Sequence, residues 1–221
     1  MRIIGGDWRG RKIEEPRGRD VPRPTADRVR EACASMVLSA LDFELDGIRV
    51  LDAFGGSGAL GIEMLSRGAG SLTTFEIDRN ASRLIQRNLE TLCPDRRRWR
   101  VVTGDVLASA SRGRLPGGPF DLVLLDPPYR FGAEPVELLL ENLAAHDLLA
   151  PGALALFEHS SEAPGAHPAG FETLREKRYG ITSVDLLRRT GNGDGSLANG
   201  PVEVDAGTSN AGDADAEAAH E

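Results

Sequence analysis

The sequence is short of the residues that build disulfide frameworks and metal centres. Cys33 and Cys93 are too few and too isolated for a stapled fold or a zinc cluster, and both read as reduced thiols. His146, His159, His167 and His220 show no metal-ligand spacing, so no metal is expected. No apolar run approaches the roughly 18 residues of a membrane span. Residues 1–12 also lack the apolar core of a signal peptide. These absences lead us to expect a cytoplasmic protein.

What is present is an ordinary globular composition. The chain has 221 residues, 40% of them hydrophobic, which suits one well-buried domain with appendages; a monomer is expected. The formal net charge of −8 argues against a nucleic-acid partner until its placement is considered. Residues 191–221 hold seven acids (Asp194, Glu203, Asp205, Asp213, Asp215, Glu217, Glu221) and no Lys or Arg, leaving 27 acids against 26 bases in residues 1–190. Within that near-neutral body, residues 1–30 carry nine bases against five acids, and residues 79–100 carry seven arginines against two acids. Either cluster suits a nucleic-acid surface, and either alone is equally readable as a solvated face.

Three segments follow from the patterning. Residues 1–45 read as an extension: short β-like pieces at Arg2–Ile4 and Arg11–Glu14, then a helix over about 26–41 with Thr25 as its N-cap behind Pro24. Residues 46–190 alternate short apolar runs with amphipathic segments, the signature of a parallel sheet. The strands fall at 49–53, 71–76, 100–103, 120–126 and 153–158; the helices fall at about 58–67, 79–92, 106–111 and 134–147. Phe171–Tyr179 and Thr182–Arg189 meet at Tyr179-Gly180 as a closing antiparallel hairpin. The fold class is therefore doubly wound α/β. Residues 191–221 have almost no large apolar side chains and are expected to be disordered.

The strand ends carry the chemistry. Val50-Leu51-Asp52-Ala53-Phe54-Gly55-Gly56-Ser57-Gly58-Ala59-Leu60-Gly61 is a strand turning through glycines into a helix, where a ligand can approach backbone amides. Gly56 to Gly61 also satisfies the dinucleotide pattern G-x-G-x-x-G, so spacing alone does not exclude NAD, and tight turns for packing would also use glycines. The acids argue for a different ligand. Asp52 opposes a pyrophosphate but suits a cationic amino-acid group. Glu76, followed by Ile77, closes the next strand and can accept two ribose hydroxyls. Asp105, followed by Val106, stands where a carboxylate and an amide can meet an adenine edge, although it is equally placed to cap a helix.

The fourth strand runs into Asp126-Pro127-Pro128-Tyr129. Two prolines fix the backbone there, presenting the Pro127 carbonyl beside the Asp126 carboxylate and the Tyr129 ring. An exocyclic amine on a nucleobase is a poor nucleophile because its lone pair is delocalised. Two acceptors on its hydrogens can aim that lone pair at a sulfonium methyl while an aromatic ring stacks on the extracted base. The bland alternative is a Pro-Pro loop with Asp126 as a cap.

These residues resemble the bacterial family that methylates guanine N2 in small-subunit (16S) ribosomal RNA. The similarity runs over about residues 1–189. It rests on Arg2-Ile3-Ile4-Gly5-Gly6, Trp8-Arg9-Gly10-Arg11, Arg23-Pro24-Thr25, Asp27-Arg28-Val29-Arg30-Glu31, Gly56 to Glu63, Leu65-Ser66-Arg67-Gly68-Ala69 and Asp126 to Tyr129. The resemblance implies a Rossmann-like class I S-adenosylmethionine-dependent fold with a seven-stranded sheet. It implies cofactor contacts at Asp52, Phe54, Gly55, Gly56, Ser57, Gly58, Glu76, Ile77, Asp105 and Val106. It places the target base at Asp126, Pro127, Pro128 and Tyr129. The basic extension, through Arg9, Arg11, Lys12, Arg23, Thr25 and Arg28, is the expected docking surface for 16S RNA or an assembling subunit. Gly55 departs from the family's usual Ala, and Ala34 and Met36 replace expected aromatics. The competing readings are a DNA adenine-N6 methyltransferase, which lacks its usual target-recognition segment here, and a non-catalytic ribosome-assembly factor. Cytosine-C5 chemistry is disfavoured because neither cysteine lies in a nucleophile loop by the fourth strand.

Overall fold

The computed structural model describes residues 1–15, 24–128 and 131–191; Arg23, Tyr129 and residues 192–221 lie outside them. The elements run α1 Pro24–Ala40, β1 Arg49–Asp52, α2 Ala59–Ser66, β2 Ser71–Glu76, α3 Arg79–Leu92, β3 Trp99–Thr103, α4 Val106–Ala110, β4 Phe120–Leu125, α5 Glu134–Ala145, β5 Leu149–Ser160, β6 Phe171–Tyr179 and β7 Thr182–Arg189. A 3-10 turn, Arg96–Arg98, precedes β3.

One seven-stranded sheet has the order β3-β2-β1-β4-β5-β7-β6. β1 to β5 are parallel, and β7 pairs antiparallel with both β5 and β6. Val50 and Leu51 of β1 and Leu122 to Leu125 of β4 are apolar and buried because both sheet faces are covered. On one face Val50, Leu122, Leu124, Leu154 and Leu156 pack with Val29, Cys33 and Val37 of α1, Ile62 and Leu65 of α2, and Ile85 and Leu89 of α3. On the other, Leu51, Val123, Leu125 and Phe157 pack with Val136, Leu139, Leu140 and Leu143 of α5. Burying each such side chain contributes about 1.5–3 kcal/mol. The strand order reverses between β1 and β4, and a doubly wound sheet opens its crevice at that point, beyond the carboxyl ends of the strands.

Three sequence expectations shift. Thr25 lies inside α1, which begins at Pro24, so it is not an N-cap; its side chain is not among those described. β4 stops at Leu125, leaving Asp126 just past the ladder. β5 begins four residues earlier than expected, at Leu149, because a register irregularity between Phe120 and Leu122 lets the strand run through Pro151-Gly152, with Gly152 at φ 69°.

The N-terminal segment folds back on itself and onto α2. Arg2 bridges Lys12, and the Ile3 amide donates to the Arg11 carbonyl at 3.0 Å. Ile3 and Ile13 are buried in the same core layer as α1. Glu63 of α2, 0% exposed, accepts the amides of Ile4 (3.0 Å) and Gly5 (2.7 Å) and pairs with Arg67 at 2.9 Å. Ser66 Oγ donates to the Gly5 carbonyl at 2.7 Å and accepts the Trp8 amide at 3.0 Å. A Cβ on Gly6, at φ 74°, would stand 1.9 Å from the Ser66 carbonyl oxygen, so this docking requires glycine there.

Candidate active site

The crevice is walled by two chain segments that leave the sheet side by side. After β1 the chain passes through Phe54-Gly55-Gly56-Ser57-Gly58 into α2. Gly56 and Gly58 adopt positive φ (54° and 75°), and no side chain caps the helix. The Gly55 amide donates to the Phe75 carbonyl at 2.8 Å, and the Gly56 amide donates to Glu76 Oε2 at 2.7 Å. Glu76 Oε1 accepts the Asp78 amide at 2.8 Å. Glu76 thus ties the glycine loop to the β2–α3 turn, and each oxygen keeps a second lone-pair direction for a ligand. Ile77 beside it is 71% exposed, an apolar surface at the strand end.

After β4 the chain passes into Asp126-Pro127-Pro128. Phe131, just beyond, meets Phe54 edge-on with ring centroids 6.0 Å apart at 73°, joining the two walls. Asp126 has interactions within the chain, and Tyr129 lies outside the described residues.

The electrostatics of the crevice come from carboxylates on one sheet face. Leu72, Val50, Leu122, Leu124, Leu154 and Leu156 share that face's core layer. Side chains alternate along a strand, so Glu76, Asp52 and Glu158 continue the same face, and Asp126 follows β4 beside them. Asp52, 4% exposed, is pushed up to about 7 by burial and then by the Asp126 and Glu76 charges, with the backbone amides of Gly61 and Phe54 offsetting part of the shift. Glu158 is pushed up to about 8 by burial and then by Asp126. Asp52, Glu76 and Glu158 form no ion pair among the described residues. Buried carboxylates raised by burial and by neighbouring acids favour a bound cation. This donor set therefore fits the sulfonium and ammonium groups of S-adenosylmethionine, and it opposes a pyrophosphate.

Asp105 takes the capping role that its sequence position also allowed: Oδ1 accepts the Leu107 amide at 2.8 Å and the Ala108 amide at 3.3 Å, starting α4. Its exposed side chain and Val106 stand at the end of β3, on the same sheet edge as Glu76. Cys33 of α1 lies against the chemistry, which its sequence position did not suggest. It is buried, and burial with the Glu158 and Asp126 charges pushes its thiol up, making it a poor nucleophile. Glu158 is the residue that sequence reasoning missed. Its signal was available: an acid closing an apolar strand, as at Asp52 and Glu76.

The basic residues divide. Arg9 and Arg28 line one open groove with Arg2, between the N-terminal segment and α1, and Asp27 and Glu31 line it too. Arg11 instead donates to the Thr91 carbonyl at 3.1 Å, and Lys12 sits across the bridge from Arg2, outside the groove. Of the arginines at 79–100, Arg87 pairs with Glu14, Arg96 with Glu90 and Arg97 with Asp95, each at 2.7–2.9 Å. Three of the seven arginines of that second cluster are thus ion-paired.

This strand order, with a glycine loop after β1 and an Asp-Pro-Pro run after β4 at the switch point, defines the Rossmann-like S-adenosylmethionine-dependent methyltransferase fold. Solved structures agree. An Escherichia coli protein described as a methyltransferase is 37% identical with TM-score 0.70, over 86% of this chain and 98% of that one. A Haemophilus influenzae protein described as a methylase is 32% identical with TM-score 0.69, over 86% and 98%. The family model described as Conserved hypothetical protein 95 matches residues 1–188. Ribosomal RNA small subunit methyltransferase D of Escherichia coli K12 is 38% identical over 88% of this chain and 92% of its own length, and its Haemophilus influenzae counterpart is 34% identical over 85% and 93%. The chain belongs to this small-subunit ribosomal RNA methyltransferase D family.

Proposed function

We propose that the protein transfers a methyl group from S-adenosylmethionine to the exocyclic N2 of a guanine in 16S ribosomal RNA, in the cytoplasm. The observation that carries this reading is the convergence of the glycine loop and Asp126-Pro127-Pro128 at one switch point, with Asp126 close enough to raise Asp52. When bound, the cofactor supplies an electrophilic methyl group on a cationic sulfur. Asp52 would face its amino-acid end, the backbone of Phe54 to Gly58 would line it, Glu76 would receive the ribose, and Ile77, Asp105 and Val106 would border the adenine. Asp126 accepts one hydrogen of the target amine and the Pro127 carbonyl accepts the other, drawing the nitrogen towards tetrahedral geometry. Pro128 holds that carbonyl in place, and Tyr129 stacks on the extracted base. Asp126 takes the proton that the nitrogen sheds as it gains the methyl group.

The N-terminal groove supplies the RNA contacts, with Arg9 and Arg28 inside it and Arg11, Lys12, Arg23 and Thr25 along the same extension. Mapping base methylation in small-subunit RNA from cells with and without the gene tests the reading. A guanine N2-methyl mark that vanishes with the gene and returns with wild type, but not with Asp126→Ala, is expected. An unchanged map, or loss of an adenine N6 mark from DNA instead, rejects it.

A further inference from the structure

The part of the crevice beyond Asp126 is formed by β5. Leu125 pairs with Phe157, so the next step along the two strands sets Asp126 and Glu158 side by side on the face shared with Leu124 and Leu156. The Glu158 backbone is fixed by pairing with buried Val184 of β7. Its half-buried carboxylate makes no hydrogen bond or ion pair among the described residues, and it lines a shallow depression with Pro127 and Pro128. The adjacent His159 is committed elsewhere: Nδ1 lies 3.0 Å from the Ser160 carbonyl and Nε2 lies 3.0 Å from Asp185 Oδ2. Glu158 is therefore an unused acceptor next to the two groups assigned to the target amine.

The edge of guanine supplies what this acceptor lacks. Beside the C2 amine, guanine carries N1–H, a donor, whereas adenine carries a lone pair at N1. An extracted base leaves water behind, so an N1 group facing the wrong partner is penalised in full. We propose that Glu158 is the guanine-specifying residue, its carboxylate accepting N1–H while Asp126 and the Pro127 carbonyl hold the C2 amine. This rests on the guanine-N2 reading above. The charged groups whose fields reach Glu158 are Asp126 after β4 and His159, on the opposite face of its own strand, with the buried Cys33 thiol of α1 nearby. A donor on the base and a cationic methyl donor bound at Asp52 both favour the ionised carboxylate.

The test uses 2-aminopurine, which keeps the amine at C2 but presents a lone pair at N1. Small subunits are reconstituted with guanine or 2-aminopurine at the methylated position. Wild type is expected to prefer guanine by roughly 10–100-fold in kcat/KM. Glu158→Gln, whose amide can donate to N1, should compress that preference by about tenfold or more, through loss on guanine and retention or gain on 2-aminopurine. Glu158→Asp should keep the preference at a lower rate. Equilibrium binding of the two subunits in the presence of S-adenosylhomocysteine should shift in the same direction. An unchanged guanine to 2-aminopurine ratio in Glu158→Gln, whatever the absolute loss, overturns the role of Glu158 and leaves the guanine-N2 reading standing. Wild-type methylation at adenine N6 overturns both.

Discussion

Gly55 illustrates how one missing Cβ sets the shape of the cofactor loop. An added Cβ would lie 2.5 Å from Thr74 Cγ2 and 2.9 Å from Ile85 Cδ1, so an alanine does not fit here unless this pair moves. Gly55→Ala should push the loop off β2, straining the Gly55–Phe75 and Gly56–Glu76 hydrogen bonds. A loss of about 1–3 kcal/mol of stability is expected, with weaker cofactor binding, read by thermal unfolding and calorimetry. Thr74→Ser removes the clashing methyl and should recover part of both losses. Equal effects of Gly55→Ala in the two backgrounds would exclude this contact as the cause. Asp126 is assigned to the amine and not to the cofactor, so Asp126→Ala should lower kcat by on the order of 10²–10³-fold while S-adenosylmethionine affinity stays within a few-fold. A matching collapse in affinity would move Asp126 into the cofactor site.

Among the elements, the N-terminal segment depends most on α2. The motif Gly5-Gly6 and the motif Glu63 to Arg67 are one structural unit, because the buried Glu63 carboxylate and the Ser66 hydroxyl satisfy the backbone of residues 4–8. The segment then holds Arg2 and Arg9 across a groove from Arg28. If these guanidinium groups meet phosphates, Arg9→Ala with Arg28→Ala should weaken RNA binding and reduce its salt slope by about one unit per lost contact. Cofactor affinity should not change. Arg11→Ala should act mainly on how the segment seats on α3, since its guanidinium serves the Thr91 carbonyl. Removal of residues 191–221, which carry only acidic charge, should not weaken RNA binding. A salt slope unaltered in the double variant would make the groove a solvated face.

Across the whole molecule, the carboxylate-lined crevice makes stability and ligand binding depend on pH. Asp52 holds its proton up to about 7 in the folded chain, against about 3.9 in an unfolded one. Between those values the native state binds more protons, so stability falls as pH rises, fully present below about 4 and lost through about 7. Asp52→Asn removes this titration, and its melting temperature should decline less than that of wild type between pH 5 and pH 8. A bound cation favours the ionised carboxylate, so S-adenosylmethionine affinity should rise over the same interval. S-adenosylhomocysteine keeps the same ammonium group and should show much the same rise. Parallel pH profiles for wild type and Asp52→Asn would show that Asp52 does not act as the cation site.

The sequence by itself determined the alternation of strands and helices, the glycine turn after β1, the Asp-Pro-Pro exit from β4 and the terminal hairpin. Each is a local effect: strands buried on both faces must be continuously apolar, glycine is needed where φ is positive, and two prolines stop a ladder. Tertiary structure alone decided what each strand-end acid faces. Asp105 caps its own helix and Glu76 binds the loop amide of Gly56, since a carboxylate takes whichever donors the packed backbone presents. An ion pair with a distant segment also takes up one arginine that composition counts in a basic patch, Arg87 with Glu14. The pairing of β4 with β5 brought Glu158 beside Asp126 across 32 residues of chain, because strand register is fixed by burying one face of a sheet and not by neighbours in sequence.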